Sequence, residues 1–380
     1  MRVAHVIKAT GIAGAERHLL ILLSGLRARG VDAQLLLLVE PRRPMDDLIE
    51  RATERGVPVG RVPIRHHLDA GVARKLRKAF AEMKPDIAHT HLLHADLYGI
   101  PAARLARVPV VVSSRHNDNA FRRRLPLRLT NRALWRMTDA GIAASDAVRR
   151  FSISVEGVAP KKIQTIYYGL ERTADDALRQ TERAAMRAEL GVDADTPVVG
   201  MVCRLIEQKG VRYGLEAFAQ VAAEFPQARL VIAGDGALRA RLEAQARTLG
   251  IDDRVTFLGW RVDARQVFAG LDVYLMPSLW EGFGLVLLEA MSQRLPIIAS
   301  NVSAIPEVIA DGETGLLAPP RDVPRLAAAL RMLLADAPLR RHMGLMGEDR
   351  LEEMFTAERM TDETLALYET LLARRGRGTK

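Results

Sequence analysis

Pro197-Val-Val-Gly-Met-Val-Cys203, then Arg204-Leu-Ile-Glu-Gln-Lys-Gly210, then Val211-Arg-Tyr-Gly-Leu-Glu-Ala-Phe-Ala-Gln-Val-Ala-Ala-Glu224 is the stretch that decides the fold. Its first piece is an apolar run of strand length, its second a polar loop closed by glycine. The third carries apolar residues at helical spacing. The same unit recurs on both sides. Downstream, Arg229–Ala233, Arg254–Leu258, Asp272–Met276 and Pro296–Ala299 read as strands, with helical spacing at Leu238–Leu249 and Gly284–Ser292. Upstream, Val3–Ile7, Gln34–Val39, Asp86–His89, Val108–Ser113 and Lys162–Ile166 read as strands. Ala15–Arg29, Val72–Met83 and Leu127–Met137 read as the helices among them.

Strand–helix alternation implies parallel sheets, because parallel neighbours need a crossover and the crossovers lay helices on both faces. Two such runs predict an α/β protein of two Rossmann-like parallel-sheet domains facing an interdomain cleft, each side contributing a ligand site beyond its strand ends. The expected boundaries are 1–168 for the first domain, 169–195 for a polar linker with a short helix before Gly191, and 196–355 for the second. A chain of 380 residues is long enough for two cores.

Composition narrows the class. Apolar residues make up 48% and charged residues 27%, which is globular. Cys203 is the only cysteine, so no intrachain disulfide can form and a reducing compartment is expected. Met1–Ile7 reads as a strand rather than a leader, and no apolar run approaches the roughly 20 residues that span a bilayer. A cytoplasmic protein is the expectation, at most peripheral on the inner membrane face. Net charge is +9, but residues 1–168 hold 29 Lys+Arg against 15 Asp+Glu and the remainder 26 against 31. The basic first half points to an anionic partner, although an arginine-rich solvated surface accounts for the same balance. Nucleic acid is not expected, since the basic stretches lack interleaved aromatics and any recognition motif.

Four motifs carry chemistry. Gly11-Ile-Ala-Gly14-Ala15-Glu16 follows the first strand and opens a helix, where backbone amides can approach an anion; a ligand-free turn is the alternative reading. His91 and His116 follow strands at their carboxyl ends, where ligands collect. His5 and His18 read as fold-supporting. His89-x-His91 finds no Cys/His cluster in the sequence to complete a zinc site, so no metal and no other cofactor is expected. Asp193-x-Asp195 reads as surface loop. Arg204 and Lys209 place two cations at a helix mouth, suited to a diphosphate. Finally, Pro277-Ser-Leu-Trp-Glu281-Gly282-Phe283-Gly284-Leu285-Val-Leu-Leu-Glu289-Ala-Met291 puts Glu281 before a glycine-bracketed helix start and Glu289 two turns in. A glutamate on an otherwise apolar helix needs a partner, such as a ribose hydroxyl pair.

With these motifs in this order, the chain resembles the retaining, nucleotide-sugar-dependent glycosyltransferases of family 4, which have the GT-B fold. The resemblance spans nearly the whole chain. Besides the motifs above it takes in Ala233-Gly-Asp-Gly236, Val255-Thr-Phe-Leu-Gly259 and Ile305-Pro-Glu307 through Leu317. It implies that Arg204 and Lys209 hold the donor diphosphate and that the backbone of Gly282, Phe283, Gly284 and Leu285 contacts phosphates and sugar. Glu289 would bind the ribose and Glu281 the transferred sugar. His116, with His91 beside it, would approach that sugar from the first domain, and the Gly11–Glu16 turn would lie by phosphate or acceptor. A C-terminal helix over about 356–374 would pack back on the first domain. Three positions depart from the family pattern: Tyr168 before Gly169 in place of asparagine, and Cys203 and Ala304 in place of glycine.

The implied partners are a nucleotide-sugar donor, UDP- or GDP-linked, and a glycan or lipid-linked acceptor in bacterial surface polysaccharide or lipopolysaccharide assembly. The basic segment Arg122–Arg136, with Leu and Trp at helical spacing, could lie on anionic lipid or pack as an ordinary helix. Competing readings are a nucleotide-sugar epimerase, which needs no acceptor, a glycan phosphorylase, which needs inorganic phosphate, and a non-catalytic two-lobed sugar-binding protein.

Overall fold

The computed structural model describes residues 1–66, 69, 71–172 and 175–377. The chain forms two compact units: Met1–Glu171 together with the chain from Thr356 onward, and Arg172–Phe355.

The first unit is built on seven parallel strands: β1 Arg2–Lys8, β2 Asp32–Val39, β3 Val59–Pro63, β4 Ile87–His91, β5 Val110–Arg115, β6 Ala140–Ala143 and β7 Ile163–Thr165. Their spatial order is β3-β2-β1-β4-β5-β6-β7, so the sequence order reverses between β1 and β4. Side chains alternate between faces. On one face Val3, Ile7, Ile87, Val110 and Val112 pack against Leu19, Leu22, Leu23 and Leu26 of helix Gly14–Ala28 and against Met360, Tyr368 and Leu371 of helix Ala357–Arg377. On the other, Ala4, Val6, Ala88 and Val111 meet helices Gly71–Met83 and Leu92–Leu105 through Val72, Leu76, Phe80 and Ala95. With both faces covered, continuous apolar strands are the low-energy solution. Each buried leucine is worth roughly 2 kcal/mol.

The second unit repeats the plan with β8 Val198–Val202, β9 Arg229–Ala233, β10 Val255–Gly259, β11 Val273–Met276, β12 Ile297–Ser300 and β13 Gly315–Ala318. The order is β10-β9-β8-β11-β12-β13, all parallel, and it reverses between β8 and β11.

Strands β3, β6 and β13 escape the apolar pattern. Val-Gly-Arg-Val-Pro, Ala-Gly-Ile-Ala and Gly-Leu-Leu-Ala are short and rich in residues of low strand propensity, and pairing with an established neighbour forms them. The stretch 169–195, read as linker, holds a fifteen-residue helix, Asp176–Leu190, started by the Asp175 side chain and closed by Gly191 at φ 64. It belongs to the second unit. Met186 is buried with Ala233 and Val267, and Arg187 donates to the Gly270 carbonyl and to Asp272. Among the described residues, no helix is long and apolar enough to cross a membrane.

Candidate active site

In the second unit the loops leaving β8 and β11 stand at the reversal of strand order, where ligands of open α/β sheets bind. They are tied to one another. The Leu279 amide donates to the Gln208 carbonyl at 2.7 Å, and Gln208 Nε2 donates to the Trp280 carbonyl at 3.0 Å. Lys209 Nζ donates to Glu281 Oε2 at 2.5 Å, with both side chains 12% exposed. Gly210 makes this closeness sterically allowed: its φ is 61, and a Cβ there would lie 2.0 Å from the Pro277 carbonyl oxygen. Gly284, at φ 88, turns the chain into helix Leu285–Ser292 and, as its N-cap, has no side chain to cap it. The positive end of that helix suits an anion. Glu289 is buried on the same helix among Leu285, Leu287 and Leu288. Ser278 Oγ is buried without a protein partner. Arg204 is exposed, and among the described residues it has no ion-pair partner. Burial pushes the Cys203 thiol up to about 11, so this wall of the site is uncharged at neutral pH.

In the first unit the reversal lies between β1 and β4, paired with His5 beside His89 and Ile7 beside His91. The Gly11–Glu16 loop leaves β1 at this edge. A Cβ at Gly11 or Gly14 would meet nothing within 4 Å, so packing does not demand glycine at either position. Glu16 accepts a hydrogen bond from the Ala13 amide at 3.0 Å and so secures the helix start. Four histidines, from β1, β4 and the end of β5, form a connected group. His91 Nδ1 lies 3.1 Å from His116 Nε2, and His91 Nε2 lies 3.0 Å from His5 Nδ1. The Tyr368 hydroxyl lies 3.5 Å from His5 Nε2 and 2.6 Å from His89 Nδ1, and His89 Nε2 lies 2.7 Å from Ser114 Oγ. His116 Nδ1 is bonded to the Tyr168 hydroxyl, and His18 stacks on the Tyr168 ring at 3.9 Å. Burial lowers all five imidazoles: His5 and His18 to about 3, and His89, His91 and His116 well below the ordinary value.

Beside the histidines sits a buried ionic cluster. Asp96 accepts from Thr90 Oγ1 at 2.5 Å, from Ser113 Oγ at 2.6 Å and from Arg115. Glu156 accepts from Arg115 Nε at 2.8 Å, Arg122 Nη1 at 2.6 Å and Trp135 Nε1 at 3.1 Å.

The sequence comparisons decide what these two sites belong to. The profile of "Glycosyl transferases group 1" matches residues 182–350, and that of "Glycosyltransferase Family 4" matches residues 12–173. The UDP-Gal:alpha-D-GlcNAc-diphosphoundecaprenol alpha-1,3-galactosyltransferase of Escherichia coli is 32% identical over 275 residues, covering 70% of each chain. The chain belongs to glycosyltransferase family 4. The alpha-D-kanosaminyltransferase of Streptomyces kanamyceticus is 29% identical over 359 residues, 86% of this chain and 92% of that one. In fold, Anabaena HepE, crystallised with UDP-glucose, superposes with a TM-score of 0.84 at 22% identity, covering 97% of this chain and all of that one. The two parallel-sheet units are thus those of the GT-B glycosyltransferases.

Within this family-4 chain, the structure joins Lys209 directly to Glu281 and His91 directly to His116, while Arg204 stays in solvent. Neither ring nitrogen of His116 is vacant. Sequence reasoning missed His5 and His89 as members of this group, because their junction is a strand register and not a spacing. Tyr168 was visible only as a departure from the family pattern. Asp96, Arg115 and Glu156 gave no signal, and Arg122, read as the start of a basic segment, is instead buried on Glu156, since a balanced cluster of two cations and two anions has no local motif. That balance makes Glu156→Gln a severe change. Burial alone would raise the Glu156 carboxyl, yet Arg115 and Arg122 overcome it and hold it at about 2. Removing the charge leaves a surplus buried guanidinium, and about 3–5 kcal/mol of stability should be lost in chemical denaturation at pH 7. A loss under about 1 kcal/mol would show that the cluster is not needed.

Proposed function

We propose that this glycosyltransferase transfers a sugar, with retention of configuration, from a UDP- or GDP-sugar to a glycan or lipid-linked acceptor in bacterial surface polysaccharide assembly. The carrying observation is the lock between the β8 and β11 loops, which holds Lys209, Glu281 and the uncapped helix start at Leu285 on one small surface. Cleavage of a sugar–phosphate bond builds negative charge on the leaving diphosphate and positive charge on the ring. Fixed cations and amides stabilise the first, and a carboxylate suits the second. Arg204, exposed and without an ion-pair partner among the described residues, and Lys209 take the diphosphate. The amides from Gly282 to Leu285 take phosphate oxygens, Glu289 takes the ribose hydroxyls, and Glu281 faces the sugar. His116 contacts the transferred sugar, with His91 hydrogen-bonded to it, and the Gly11, Gly14, Ala15 and Glu16 turn takes phosphate or acceptor. The leaving phosphate accepts the acceptor's proton, so no glycosidase-type carboxylate pair is needed. The names of the Escherichia coli galactosyltransferase and of UDP-bound HepE support a UDP-sugar.

The test is nucleotide release from UDP-, GDP- and ADP-sugars with and without acceptors. Acceptor-dependent release from a UDP- or GDP-sugar is expected, and chelator should leave the rate unchanged because protein cations replace a metal. Conversion of the nucleotide-sugar without any acceptor would favour an epimerase instead.

A peripheral, cytoplasmic-side location is part of the proposal. Helix Leu125–Arg136 divides its apolar residues: Leu134 and Trp135 are buried, whereas Leu125 and Leu129 are 64% and 55% exposed beside Arg124, Arg128 and Arg132. An exposed apolar edge among cations suits an anionic lipid surface. Co-sedimentation should rise with anionic lipid content, and binding indifferent to it would remove this element.

A further inference from the structure

The hydrogen bonds of the first unit form one file: Tyr168, His116, His91, His5, Tyr368, His89, Ser114. A neutral imidazole has one N–H and one lone pair, so each histidine's tautomer dictates its neighbour's. A mismatch anywhere sets two protons or two lone pairs face to face in a buried site, and that is costly. With Tyr368 spending its own proton within the file, two arrangements satisfy every bond. In one, all four histidines carry the proton on Nε2; in the other, all four carry it on Nδ1. At His89 the Tyr368 hydroxyl at 2.6 Å and the Ser114 hydroxyl at 2.7 Å are of similar length, so both arrangements fit there. The Nε2 arrangement is the one in which His116 accepts at Nδ1 from the Tyr168 hydroxyl. A cation shared by His5, His89 and His91, whose nitrogens lie within 4.8 Å of one another, is a poorer account. His91 Nε2 and His5 Nδ1 face each other across one proton, and these nitrogens are already satisfied.

We propose that His91 and His5, anchored by Tyr368, are positioning residues that hold His116 with its proton on Nε2 and its Nδ1 lone pair ready to accept from a hydroxyl. The Tyr168 hydroxyl fills that place in the resting structure, and a hydroxyl of the transferred sugar is its chemical equivalent. The catalytic consequence rests on the reading of His116 as a sugar contact; the file itself does not.

Nitrogen NMR of ¹⁵N-histidine-labelled, substrate-free protein tests it. Two ¹⁵N–¹⁵N couplings across hydrogen bonds are expected, His116 to His91 and His91 to His5, with Nε2 protonated in each. Absent couplings, or a proton on His116 Nδ1, would overturn the proposal. Two substitutions separate positioning from bulk. His91→Asn keeps an acceptor near the Nδ1 position facing His116 and should keep kcat within about threefold. His91→Gln moves its amide toward His5, leaves His116 Nε2 unpaired, and should lower kcat by about tenfold or more with donor KM within about twofold, the usual scale for outer-shell partners. Unaltered His116 nitrogen shifts in His91→Gln count against the file. Couplings present with unmoved kinetics uphold the file and overturn the sugar-contact reading of His116.

Discussion

Acidification from pH 7 to pH 5 is expected to unfold the first unit well before its carboxylates are protonated. His5, His18, His89, His91 and His116 are buried and neutral, with folded pKa values lowered by burial to about 3 for His5 and His18 and in the same direction for the others. For His116 the neighbouring Arg115 and Arg122 push the same way. In the unfolded chain these rings titrate near 6.5, so below that pH the unfolded state binds more protons and stability falls as pH falls. The stability they lend is complete above 6.5 and is lost as pH falls, toward about 3 for His5 and His18. These two contribute about 1.4 kcal/mol per pH unit each, about 3 together, and His89, His91 and His116 add to the loss in the same direction. That rivals a whole domain's stability. Glu156 adds a separate loss lower down, between its ordinary value and about 2. Trp135 lies in the first unit and Trp260 and Trp280 in the second, so a variant retaining only Trp135 reports the first unit alone. Its melting temperature should drop steeply between pH 6.5 and 5. A flat profile there would mean that the rings are charged or hydrated when folded.

Arg204→Ala is expected to lower turnover by about 10²-fold or more, the scale for one lost oxyanion donor, with a melting temperature unchanged within about 2 °C. Arg204 is exposed and has no ion-pair partner among the described residues, so the fold has little use for it. Lys209→Ala should cost at least as much activity but also some stability, because Glu281 would be left buried without its cation. The contrast separates binding from scaffolding: equal rates in wild type and Arg204→Ala would remove the diphosphate role. Steady-state kinetics with saturating donor, paired with thermal melts, reads both.

The doubly wound plan was legible because both sheets are buried on two faces and their longer strands are continuous apolar runs, as in Leu35–Val39. The helix at Asp176–Leu190 was read as a short helix within a linker because only Met186 and a few neighbours are buried, leaving a mostly charged segment. At the second unit's site the motif was local, since Glu281 through Glu289 sit on one loop and helix. The Lys209–Glu281 contact then follows from neighbouring strands. In the first unit the decisive groups come from β1, β4, the end of β5, the segment after β7 and the C-terminal helix. No spacing along the chain encodes their meeting; only strand order does. Tyr368 is the extreme case, 279 residues from His89 and 363 from His5.

Calorimetric titration of UDP and GDP into the wild type and the Arg204→Ala/Lys209→Ala double variant tests the central claim most directly, that the second unit grips a nucleotide diphosphate. Saturable binding of one nucleotide to the wild type, weakened by about 10²-fold in the double variant, is the predicted result. No heat from either nucleotide, or the same affinity in both proteins, would contradict it.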